Sequence, residues 1–145
     1  MIEIASPDEM YELGKRIGAQ LRIGDLVLLN GPLGAGKTLL TQGIGASLGI
    51  EGITSPTFVI SRVHQGPITM IHMDAYRLLD SENPSLSLDD LDLDTERESA
   101  ITVVEWGGAA SRLSDERLEI TIDRESEIRK VSAVGIGNRW IGFTL

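Results

Sequence analysis

A chain of 145 residues, 41% hydrophobic and 24% charged, has the length and balance of a single globular domain over 1–145 with a core of its own. It contains no cysteine, which excludes disulfides, thiolate zinc sites, iron–sulfur clusters and a cysteine nucleophile. Its net charge of −9 excludes general electrostatic binding of nucleic acid, which needs Lys and Arg against the phosphates, so any anion it holds must be held by local geometry.

In chain order, Ile2–Ile4 reads as a short edge strand. Ser6-Pro7-Asp8-Glu9 starts a helix: Ser6 can cap, Pro7 suits the first helical position, and Glu9 completes a capping box. Met10, Leu13, Ile17 and Leu21 recur on one face of that helix. After a turn at Gly24-Asp25, the wholly apolar run Leu26–Leu29 predicts a strand buried on both faces. A glycine-rich turn follows, then a helix over Thr38–Leu48 with Leu40, Ile44 and Leu48 inward and Gly49 placed to end it.

Beyond the irregular stretch 53–57, Phe58–His64 and Ile68–Met73 read as two strands of a hairpin turned at Gln65-Gly66-Pro67. Asp80–Glu98, where Arg97 faces eight carboxylates, predicts a short exposed helix or a solvated face. Ile101–Val104 is another short apolar strand. From Arg117 onward Leu118, Ile120 and Ile122 alternate with polar residues, and Ile128–Ile136 and Trp140–Phe143 continue in strand style around a tight turn at Gly137-Asn138. The order predicts an α/β fold with a mostly parallel central sheet flanked by helices and an antiparallel C-terminal extension. No apolar run nears the ~18 residues of a membrane span. The acidic N-terminal stretch lacks the apolar segment of a signal peptide, so a cytoplasmic location is expected.

The chemistry concentrates in Gly31-Pro32-Leu33-Gly34-Ala35-Gly36-Lys37-Thr38, a match to the phosphate-binding pattern G-x-x-x-x-G-K-[ST]. Glycines let successive backbone N–H groups turn toward phosphate oxygens. On this reading Leu33, Gly34, Ala35, Gly36, Lys37, Thr38 and Leu39 bind the nucleotide. Lys37 brings a cation to the β- and γ-phosphates, Thr38 a hydroxyl to Mg²⁺, and the helix behind them its positive dipole end. Such a loop calls for a carboxylate at the end of a neighbouring strand. Asp74 after 68–73 and Glu105 after 101–104 are the two candidates, one for the metal and one to orient or deprotonate the attacking water. Thr57, in Thr54-Ser55-Pro56-Thr57-Phe58, stands where nucleotide-sensing segments sit, and Arg77 is a candidate phosphate or partner contact. His64 and His72, eight apart with no third ligand type near them, read as structural. Asp90, Asp92 and Asp94 fail as a calcium loop, since Thr95 and Ile101 stand where Gly and Glu are required.

Taken in order, the loop 31–38, Ser55-Pro56-Thr57-Phe58, His72-Met73-Asp74-Ala75-Tyr76-Arg77-Leu78 and Glu105-Trp106 resemble the TsaE (YjeE) family over about residues 5–110. The resemblance implies a small bacterial P-loop ATPase that uses ATP and Mg²⁺ in making the threonylcarbamoyl modification of tRNA adenosine. It also implies TsaD, the transfer enzyme, and TsaB as partners. It implies that Lys37 and Thr38 bind Mg·ATP, that Asp74 is the Mg²⁺-side carboxylate, that Glu105 supports hydrolysis and that Thr57 belongs to a switch. Gly107-Gly108 departs from the family pattern after Glu105-Trp106. Two other readings remain: a small-molecule kinase, against which an acidic 80–98 makes a poor lid for phosphates, and a GTP-binding switch, for which no N-K-x-D segment is present.

Overall fold

The apolar run at 26–29 becomes the middle of a sheet. In the computed structural model, which describes residues 1–32, 34–53, 61–74, 99–105, 116–124 and 126–145, the strands are β1 (Ile2–Ile4), β2 (Leu26–Asn30), β3 (Ser61–His64), β4 (Met70–Asp74), β5 (Ile101–Glu105), β6 (Arg117–Asp123) and β7 (Arg129–Ile136). Their order is β1-β7-β6-β2-β5-β4-β3. The four central strands β6, β2, β5 and β4 are mutually parallel. The outer pairings β1–β7, β7–β6 and β3–β4 are antiparallel. The expected parallel centre and antiparallel C-terminal extension are both present. Leu26, Val27, Leu28 and Leu29 are all fully buried, as a central parallel strand covered on both faces requires.

Helices α1 (Pro7–Gly18) and α2 (Lys37–Ser47) pack against each other. Met10, Leu13 and Ile17 from α1 join Leu40 and Ile44 from α2 in one core with Val27, Leu29, Val103 and Ile120. Each fully buried Leu or Ile side chain contributes roughly 1.5–3 kcal/mol relative to an exposed one. The two backbones touch. A Cβ on Gly43 would overlap the Tyr11 carbonyl oxygen and lie 2.9 Å from the Gly14 Cα. Helix α2 ends as the sequence predicts. Gly49, at φ 79°, donates its N–H to the Ala46 carbonyl and Ile50 donates to Gly45 at 2.8 Å, the paired bonds that close a helix at a left-handed glycine.

One expected strand is absent. Residues 138–140 form a 3-10 turn rather than a hairpin leading into a strand. The outer edge of β7 is already taken by β1 at Arg129–Val131. Trp140 instead folds inward, 4% exposed, over Gly135, where a side chain would collide with it, and its ring meets Phe143 edge-on at 5.5 Å. The neighbouring Arg139 forks onto Asp25 at 2.9 and 2.8 Å, tying this segment to the turn before β2. The hairpin β3–β4 forms in the register Ser61↔Met73 to His64↔Met70. The expected helix in 80–98 and the start of the expected strand at 58–60 lie outside the described residues. Among the described residues no helix is long and apolar enough to cross a membrane.

Candidate functional site

Parallel pairing brings the carboxyl ends of β2, β5 and β4 to one edge of the sheet. Leu29, the last residue but one of β2, is the register partner of Glu105, and Glu105 is the partner of Asp74 on the next strand. The chain leaves β2 at Asn30, turns through the glycine-rich loop and enters α2 at Lys37. The loop and both candidate carboxylate positions therefore share the strand-end crevice where open α/β sheets bind ligands.

The loop is shaped by glycine. Gly34 and Gly36 hold φ of 76° and 112°, conformations that side-chain-bearing residues rarely adopt. A Cβ on Gly36 would press on the Met10 side chain, and one on Gly34 would lie 2.8 Å from the Arg124 guanidinium. Ala35 is buried. Gly36 caps α2 without any side-chain hydrogen bond, and no acidic residue stands in the first turn. The 5%-exposed Lys37 donates from Nζ to the carbonyls of Gly31 at 2.7 Å and Pro32 at 2.9 Å.

Thr38 donates from Oγ1 to Oε1 of Glu105 at 3.4 Å. The other carboxylate oxygen, Oε2, lies 2.8 Å from Nε2 of His72, and that pair is almost wholly buried, at 0% and 5% side-chain exposure. Beside the loop a cavity of about 260 Å³ opens between the start of α1 and the start of β7, lined by Ser6, Met10, Gly36, Leu39, Glu127 and Arg129 among others.

The structure thus brings together Gly34, Ala35, Gly36, Lys37, Thr38, Leu39 and Glu105. It aligns Asp74 with Glu105 through the backbone. Leu33, Thr57, Arg77 and Trp106 lie outside the described residues. Three residues escaped the sequence reading: His72, Arg124 and Arg129. For His72 a signal existed, because positions 72 and 74 of β4 share a face with position 105 of β5 in parallel register. Arg124 and Arg129 reach the loop and its cavity only through the pairing of β6 with β7, which no local pattern announces.

Fold and site together define an α/β domain with a glycine-rich loop of the G-x-x-x-x-G-K-[ST] pattern at the carboxyl end of a central parallel strand. The family model for threonylcarbamoyl adenosine biosynthesis protein TsaE matches residues 4–131. A Streptomyces coelicolor protein called tRNA threonylcarbamoyladenosine biosynthesis protein TsaE is 48% identical over 142 residues, covering 90% of this chain and 93% of that one. A Bacillus subtilis protein of the same name is 36% identical, covering 93% of this chain and 85% of its own length. The crystal structure of YdiB from Bacillus subtilis superimposes with a TM-score of 0.77 at 30% identity, over 97% of this chain and 87% of that chain. The chain belongs to the TsaE family.

Proposed function

We propose that the protein is an ATPase that supports threonylcarbamoyl modification of tRNA adenosine in concert with TsaD and TsaB. The observation that carries the ATPase reading is the hydrogen bond from Thr38, the last residue of the G-x-x-x-x-G-K-[ST] loop, to Glu105 at the end of the adjacent parallel strand. A hydroxyl and a carboxylate at that separation are the hard oxygen donors that Mg²⁺ prefers. Thr38, Asp74 and Glu105 would hold the ion, which neutralises charge on the phosphates when bound.

Lys37 and the backbone N–H groups of residues 34–39 would hold the triphosphate, aided by the dipole of α2. The cavity between α1 and β7 offers Met10 and Leu39 for an apolar base, with Ser6, Glu127 and Arg129 as polar neighbours. In hydrolysis the oxygen of a water bonds to the γ-phosphorus and its proton passes to Glu105. The bond from that phosphorus to the bridging oxygen breaks, leaving ADP and phosphate.

The names carried by the relatives supply the pathway, and the charge of the chain supports the need for partners. At net −9 it lacks the cations that would displace counterions from tRNA. The test is ATP turnover by the chain alone, with TsaD and TsaB, and with candidate metabolite acceptors. Weak turnover alone, stimulated by the pair, without tRNA binding at physiological salt, is expected. Phosphate transfer to a metabolite that ignores both proteins would overturn the reading in favour of a kinase.

A further inference from the structure

Glu105 has two oxygens with two different jobs to do, and only one of them faces the loop. Oε1 accepts from the Thr38 hydroxyl. Oε2 is turned the other way, into the sheet, where it meets Nε2 of His72 at 2.8 Å. His72 is fully buried on β4, in register with Val103, two residues before Glu105 on β5. The buried ring and the two paired strands hold the carboxylate between them, and it has little freedom to rotate about its last bond.

An ionised carboxylate offers acceptors only, so the imidazole must donate from Nε2. A neutral ring bonded in this way carries its hydrogen on Nε2 and has Nδ1 as the bare nitrogen. Nδ1 is buried and has no hydrogen-bond partner among the described residues. A lone pair there is cheaper to leave unmatched than a buried N–H, which again favours the Nε2–H tautomer.

We propose that His72 is the positioning residue of the site: its Nε2–H fixes Oε2 of Glu105 so that Oε1 stays turned toward Thr38. This rests on the ATPase reading of the same site and adds a group that never touches nucleotide. Residues that orient a ligating or proton-accepting carboxylate from behind matter nearly as much as the carboxylate itself, and their loss costs about 10–100-fold. Strand β4 thereby acts on the chemistry at the end of β5 through the His72 side chain as well as through its own terminal residue, Asp74.

Three chains test it: wild type, His72→Leu, which removes the donor at similar volume, and His72→Gln, whose amide nitrogen can reach the place of Nε2. Turnover of ATP, calorimetric affinity for ATP and a long-range proton–nitrogen NMR spectrum of the imidazoles are the readouts. H72L is expected to lose about 10–100-fold in kcat with KM and calorimetric affinity little changed, H72Q to recover most of the loss, and wild-type His72 to appear as the Nε2–H tautomer. Should H72L fail to fold, the H72Q kinetics and the wild-type spectrum decide. An H72L chain with wild-type kcat, a folded H72Q as slow as H72L, or an Nδ1–H tautomer would overturn the inference alone. A wild-type chain that neither binds nor hydrolyses ATP would overturn the function reading, and this inference with it.

Discussion

Helices α1 and α2 lie side by side, yet they begin in opposite ways. Helix α1 satisfies its own start: Ser6 accepts from the Glu9 N–H at 3.2 Å, Glu9 reaches back to the Ala5 N–H at 2.8 Å, Pro7 occupies the first position, and Asp8 and Glu9 face the dipole. Helix α2 has a glycine in left-handed conformation at its cap, no side-chain bond and no acid in its first turn. A helix start leaves N–H groups that something must satisfy. In α1 the chain supplies the answer from its own side chains, which marks a structural element. In α2 it supplies none, and Lys37 and Thr38 stand there instead, as the proposed triphosphate site requires.

The contrast can be broken from the chemical side. Glu105→Gln removes the carboxylate proposed to accept the proton at the strand end while leaving the loop in place. Turnover should fall on the order of 10²–10⁴-fold with ATP still bound, as measured by phosphate release and by equilibrium binding. Asp74→Asn should instead weaken binding in the presence of Mg²⁺. If the two phenotypes are exchanged, the roles of β4 and β5 are exchanged too.

A second break attacks what the helices share. Gly43→Ala puts a methyl group into the Tyr11 carbonyl and the Gly14 backbone. Neither can rotate away, so stability should fall by about 3 kcal/mol or more, read from urea unfolding. Wild-type stability would mean that α1 and α2 do not sit as closely as described.

Ser6→Ala should cost about 1 kcal/mol of stability and leave the affinity of the loop for ATP within error, by the same unfolding and binding assays. A loss of ATP affinity larger than the loss of stability would show that the start of α1 serves the nucleotide too, through the cavity that Ser6 lines.

Much of this was legible because the signals were local. The capping box at Ser6, the apolar run at Leu26–Leu29, the phosphate pattern at 31–38 and the helix stop at Gly49 each depend on a few consecutive residues. The carboxylates Asp74 and Glu105 were legible as strand ends, and the register then set them side by side. What escaped depends on pairing between distant segments. Trp140–Phe143 has the composition of a strand, but β1 occupies part of the edge it would need, and Trp140 instead packs over Gly135. His72 looked like a core histidine on its own strand; only the parallel alignment of β4 with β5 reveals that its ring is bonded to the carboxylate facing Thr38.

Calorimetric titration of ATP with Mg²⁺ into wild type and Lys37→Ala tests whether the start of α2 holds a triphosphate. Lys37 now donates to the carbonyls of Gly31 and Pro32, and to hold a triphosphate it must exchange them for phosphate oxygens. Wild type should bind one ATP per chain, and K37A, with unchanged circular dichroism, should show no saturable binding. Equal affinities in two folded proteins would mean that the start of α2 does not hold the triphosphate.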